Sequence, residues 1–168
     1  CIDSGTSNGA PATDIEGIPR PQGAGFDMGS YESIYVPVSV IVDNSDAGFI
    51  SSPTEWPHSS YSQGYYGSDY QYASTSGTKS ATWTFQIDTA GDYEISARWT
   101  SHRNRAYNAR YSIRNNGSEW AVSMNQRQNG GQFNPLGTFA LKAGPLEVEL
   151  ENVSSGYVIA DAVGVAEK

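Results

Sequence analysis

The side chains best suited to chemistry are a run of rings and a run of amides and guanidinium groups. From Glu55 the chain reads EWPHSSYSQGYYGSDYQYA, which brings Trp56, Tyr61, Tyr65, Tyr66, Tyr70 and Tyr72 close together in sequence. Further on, Arg103, Asn104, Arg105, Asn108, Asn125, Gln126, Asn129 and Asn134 supply polar reach. Sugar rings lay their C–H faces on aromatic faces, and their hydroxyls bond amides and charged groups. Rings beside Asn, Gln and Arg are therefore the set expected of a carbohydrate site. The same residue types also pack long loops and satisfy their backbone, and for Tyr65 and Tyr66 the two readings stand level. Six of the ten basic residues lie between Arg98 and Arg127, and all six are Arg. The planar guanidinium fork pairs with carboxylates, so this cluster leans toward an acidic polysaccharide. A solvated strand face balancing the acidic remainder is the plainer account.

Bond-making chemistry finds less support. His58 and His102 both fall in expected loops, and no G-x-S-x-G elbow surrounds any serine. Asp69, Asp88, Asp92 and Glu94 are expected in turns or on outward strand faces. No phosphate loop or zinc spacing occurs, so the chain is read as non-catalytic. Asp43, Asn44 and Asp46 offer oxygen ligands at the end of a strand, and Asp161 could approach from the last one. Ca²⁺ takes six to eight oxygens, so a structural Ca²⁺ there would need further groups. An Asx-rich turn explains the same residues.

The elements that position these groups are strands. Ala81, Trp83, Phe85 and Ile87 alternate with polar residues over 81–88. Tyr93, Ile95, Ala97 and Trp99 repeat the period after the Ala90-Gly91-Asp92 turn. Further strands are expected at 34–43, 107–114, 120–125, 146–150 and 157–166. Pro37 places the first at an edge or a bulge. Asn115-Asn116-Gly117 marks a tight hairpin turn. Period two with one polar face describes antiparallel sheets buried on one side. The fold class is all-β: an antiparallel, jelly-roll-like β-sandwich over 34–168. Trp83 and Trp99 are in phase with its core. Residues 1–33 hold Gly and Pro without apolar periodicity and read as an extended tail or linker.

Several segments in order carry a resemblance: VIVDNSDAGF, the Trp56 segment, GYYGSDYQYA, ATWTF, AGDYEISARWTSHRNRAYNARYSI, Asn125-Gln126 with NGGQFNPLGTFAL, and the closing GYVIADAVGV. Together they resemble the golvesin/xanthan-lyase-type C-terminal domain. That resemblance implies a β-sandwich, and carbohydrate binding is the family's expected function. The stretch TDIEGIPRPQGAGFDMGSYE resembles the last coil of secreted parallel β-helix proteins.

The chain has 168 residues and a formal net charge of −8. An acidic chain is a poor general binder of nucleic acid. No apolar run is long enough to span a membrane as a helix. The one cysteine, Cys1, excludes an internal disulfide. A leading Cys without Met is either a lipid-anchored cysteine exposed by processing or the edge of a fragment. Asn116-Gly-Ser and Asn152-Val-Ser are glycosylation acceptors in form, expected to go unused in a bacterial host. A secreted or cell-surface carbohydrate-binding, matrix-adhesion module is expected, with polysaccharide as partner. The alternative is a structural subunit of an extracellular filament. It would self-associate through residues 1–33, with Ile15, Ile18, Phe26, Met28 and Tyr31 as spaced anchors.

Overall fold

The computed structural model describes residues 8, 10–13, 20 and 39–168. The chain divides into two units, Cys1–Pro37 and Val38–Lys168. The expected tail anchors, Cys1 and Pro37 lie outside the described residues, and so does the filament reading that rests on them.

Twelve strands make the second unit: β1 (Ser39–Asp43), β2 (Phe49–Ser52), β3 (His58–Ser59), β4 (Tyr70–Ala73), β5 (Ser80–Ile87), β6 (Gly91–Ala97), β7 (Ala109–Asn115), β8 (Ser118–Met124), β9 (Asn134–Leu141), β10 (Gly144–Glu151), β11 (Val158–Ala160) and β12 (Ala162–Glu167). One sheet has the order β1-β12-β6-β9 and another β2-β5-β10-β7-β8. A third, smaller sheet has the order β11-β4-β3. Every paired strand is antiparallel to its neighbour.

Alternation decides which side chains fill the space between the two large sheets. Ala81, Trp83, Phe85 and Ile87 of β5 are buried, as are Leu146, Val148 and Leu150 of β10. They share one core with Tyr93, Ile95 and Ala97 of β6 and Val163 and Val165 of β12. Trp83 and Trp99 are both 1% exposed, as their phase requires. The β7–β8 hairpin turns through Asn116 at φ 46° and Gly117 at φ 83°. Two consecutive left-handed residues match the twist of the strands they join, which is why Asn-Gly is read as a hairpin turn.

On the outer face of the larger sheet, β7 and β10 lie side by side. Arg110 meets Glu151 at 3.5 Å, and Arg114 bridges Glu119 and Glu149. Two members of the arginine cluster are thus neutralised across strands.

The expected strand over 157–166 is two strands. β11 joins the small sheet and β12 a large one, and Asp161 sits at the break. The loop before β5 is closed by Asn152, which is 1% exposed. Its amide donates to the carbonyls of Ser74 and Gly77, and its oxygen accepts from the Lys79 amide.

Candidate functional site

Three loops converge beside the small sheet: the β3–β4 loop, the β6–β7 loop and the segment between β10 and β11. They enclose an open cleft of about 260 Å³. Arg105 is its charged group; Tyr72 and Tyr157 are partly exposed rings in its wall and Tyr61 is an open one.

The backbone that presents Arg105 is clamped. The Arg105 amide donates to the His102 carbonyl, closing a turn. The Tyr157 amide donates to Asn104, and the Ala106 amide donates back to Tyr157. This approach is close enough to require glycine at 156, since a Cβ there would lie 2.7 Å from the Asn104 oxygen and 2.8 Å from that of Arg105.

The guanidinium group of Arg105 is 6% exposed as a residue and is held from several sides. It donates to Asn104 Oδ1 at 3.0 Å, Ser62 Oγ at 3.0 Å, the Tyr70 hydroxyl at 3.1 Å and Thr100 Oγ1 at 3.3 Å. Its Cζ lies 5.5 Å from the Tyr70 ring centre. All these partners are neutral. Among the described residues no carboxylate pairs with Arg105, and none lines the cleft. Burial raises the Tyr70 phenol, and hydrogen bonds with Ser59 and Ser62 together with the Arg105 charge more than offset it. The phenol is left below its ordinary value. A buried cation on neutral hydrogen bonds keeps an uncompensated field, which draws an anion.

Of the sugar-binding residues expected from sequence, Tyr61, Tyr70, Tyr72, Asn104 and Arg105 meet at this cleft. The others are placed elsewhere. Trp56 is buried at 2%, with its indole N–H on the Ser52 carbonyl. Tyr65 packs against the core, 6.3 Å from the Tyr70 ring. Tyr66 lies edge-on to Phe133 with the Arg98 guanidinium 5.9 Å from its ring. Arg103 is exposed outside the cleft lining. Asn108 accepts from the Ser155 amide, and Asn125 caps the Arg127 amide. Asn134 is buried, donating to the Asn129 and Gln132 carbonyls.

Gln126 is fully buried. It donates to the Tyr111 hydroxyl and the Ile159 carbonyl and accepts from the Ile159 amide. Replacing Gln126 by Ala strands three buried groups. Each stranded group costs about 1–3 kcal/mol, so the variant is expected to lose roughly 3 kcal/mol or more in urea unfolding. A loss under about 1 kcal/mol would mean that water replaces the side chain.

His102, Ser59, Ser62 and Tyr157 line the cleft without having been expected there as ligands. Tyr157 stands edge-on to Tyr72 at 5.9 Å. A Gly-Tyr step before a buried run is the only trace that sequence leaves of it. The other histidine, His58, is held between carboxylates, 2.9 Å from Asp69 and 2.9 Å from Glu55. The Glu55 hydrogen bond raises its pKa against a smaller opposing effect of burial, and Asp69 adds to the rise.

Behind the β3–β4 loop, Asp43, Asn44 and Asp161 are buried and Asp46 caps the Asp43 amide. Asp161 accepts the Tyr66 amide with both oxygens, at 2.9 and 3.2 Å. Burial pushes its carboxyl up to about 7, and the charge of Asp43 adds to the rise. Burial raises Asp43 as well. Asp43 Oδ1 and Asn44 Oδ1 are buried acceptors without a donor. Among the described residues no three His, Cys, Asp or Glu side chains are arranged to hold a metal ion.

Comparison with known proteins places these features in a family. The model of the golvesin C-terminal domain matches residues 40–167. A xanthan lyase of Bacillus sp. (strain GL1) is 32% identical over 132 residues, covering 74% of this chain and 14% of the lyase. The solved Paenibacillus xanthan lyase aligns with a TM-score of 0.72 and 34% identity, over 77% of this chain and 13% of that one. Xyl-CBM35, solved in complex with a glucuronic acid containing disaccharide, aligns with a TM-score of 0.56 and 16% identity. That alignment covers 75% of this chain and 91% of the module. This chain thus spans about one seventh of the lyases it matches, and it shares the fold of the Xyl-CBM35 module.

Proposed function

The chain belongs to the golvesin C-terminal domain family, and from that premise we propose that its sandwich is a non-catalytic, extracellular carbohydrate-binding module for acidic polysaccharide. The observation that carries the reading is Arg105: a buried guanidinium in an open, ring-walled cleft that no carboxylate lines among the described residues. A uronate carboxylate supplies the missing charge, while Tyr61, Tyr72 and Tyr157 offer faces and edges to the sugar ring. The likeness to Xyl-CBM35, whose ligand contains glucuronic acid, supports the same ligand class. The short share of the xanthan lyases that is matched supports binding rather than turnover. Affinity electrophoresis through gels of glucuronate-bearing and neutral polysaccharides tests this. Retardation is expected only in the acidic gels, and it weakens with salt because the contact is ionic. Equal migration in all gels overturns the reading.

A structural Ca²⁺ at Asp43, Asn44, Asp46 and Asp161 is proposed as well. The two acceptors without donors support it. With so few carboxylates converging, such an ion would lean on Asn44 and backbone oxygens. Millimolar CaCl₂ is expected to raise the melting temperature above that in excess EDTA; identical melting curves remove the ion.

A further inference from the structure

The cleft does not end at Tyr157. Two residues beyond Arg105 stands Tyr107, 57% exposed. Its amide donates to Ser155 Oγ, in the same segment that delivers Tyr157 to the cleft. The Arg127 guanidinium lies 5.2 Å from the Tyr107 ring centre. Arg127 Nε donates to the Arg105 carbonyl at 2.8 Å, so one peptide joins this ring-and-cation pair to the cleft. Among the described residues no carboxylate pairs with Arg127.

A ring this exposed contributes little to stability, and a guanidinium without a carboxylate partner lies on it. Stacking on the ring and the Nε bond hold the Arg127 guanidinium in place, and the residue is exposed. A saccharide filling a cleft of about 260 Å³ leaves its neighbour in the chain outside. The surface it meets there offers a ring face and a second cation.

Resting on the reading of the cleft as an acidic-glycan site, we propose that Tyr107 and Arg127 form a second subsite. It takes the next sugar of the same chain, so the module reads at least two consecutive residues with an acidic group on each or beside each. Arg105 anchors one anionic sugar in the cleft. Tyr107 stacks the following ring, and Arg127 holds its carboxylate or an equivalent anionic substituent. The module therefore prefers polymer to free uronic acid.

Titration calorimetry with glucuronic and galacturonic acid and with their oligomers of two to six residues tests this on the intact chain. Affinity is expected to rise about tenfold from one residue to two. Tyr107→Ala is expected to erase that gain and leave the monosaccharide affinity unchanged. Arg127→Gln is expected to erase it too, and to flatten the salt dependence of oligomer binding. Both side chains are on the surface, and an unchanged melting temperature certifies each variant. A wild type with no gain from length, or a Tyr107→Ala that weakens monomer and oligomer alike, overturns the subsite while leaving the cleft standing. Failure of the wild type to bind any of these probes overturns the cleft reading and the subsite together.

Discussion

Arg105→Ala is expected to lose at least about 30-fold in affinity for a glucuronate-bearing oligosaccharide, because truncating one partner of a buried charge pair costs about 2–5 kcal/mol. The size follows from where the cation sits. An arginine at the surface exchanges a carboxylate for water at little cost, whereas Arg105 is nearly sealed and bonded to Asn104, Ser62, Tyr70 and Thr100. The alanine variant also strips those groups of a donor, so its melting temperature must be measured alongside. Two gentler changes separate fold from binding. Arg105→Lys keeps the charge and loses the planar fork, and it is expected to bind about tenfold more weakly than the wild type. Tyr61→Ala removes a ring that is 90% exposed, which leaves folding intact and takes away one wall of the cleft. A folded Arg105→Ala that still runs slowly in acidic gels, with its salt dependence unchanged, would falsify the site.

Melting temperature in EDTA-containing buffer is expected to fall as pH rises from 5 to 8. The sign follows from Asp161. Its carboxyl has an ordinary value of 3.8 and is raised to about 7 by burial and by Asp43. A group raised in the folded state contributes stability that is fully present below its unfolded value. That contribution is lost as pH climbs through the folded value, here between about 4 and 7. Of that rise, about two pH units fall within the range measured, which corresponds to about 3 kcal/mol at most, on the order of 10 °C for a domain of this size. Asp43 is raised in the same direction. His58, also raised, adds stability below 6.5 that fades as pH passes its folded value. Asp161→Asn keeps an acceptor for the Tyr66 amide and removes the largest of these titrations, so its melting temperature is expected to fall less steeply than that of the wild type, with the remainder from Asp43 and His58. A flat wild-type profile, or a variant with the wild-type slope, rules the account out. Recovery at pH 8 on adding Ca²⁺ would instead place a cation where the proton sits.

Much of the sandwich was legible because alternation is a local signal. β5 and β6 lie within two residues of their expected bounds, and the Asn116-Gly117 turn needs only two positive φ values. β9 was not expected. Pro135 and Gly137 are residue types depleted in strands, yet the strand pairs with β6 across an irregularity in register that accommodates both. The Tyr157–Ala166 run looked like one strand, because nothing in an apolar string marks the point where it passes from one sheet to another. The site was legible by residue type and not by place. Trp56 and Gln126 have the chemistry of ligand contacts, but long-range packing buries them. The arginine cluster suggested one charged patch. Cross-strand neighbours pair Arg110 and Arg114 with glutamates of β10, leaving Arg105 and Arg127 as the informative members.

Asn152 has a consequence for where this chain can be made. Its amide nitrogen, the atom an N-glycan would occupy, is committed to the carbonyls that close the turn before β5. In a eukaryotic secretory pathway the Asn152-Val-Ser acceptor is exposed to oligosaccharyltransferase before the chain folds. A glycan attached there leaves one N–H where the clasp uses two and has no room at a residue 1% exposed, so it opposes folding, whereas one on Asn116 hangs from an exposed hairpin tip. Yield in such a host therefore hinges on folding outrunning modification at a single asparagine.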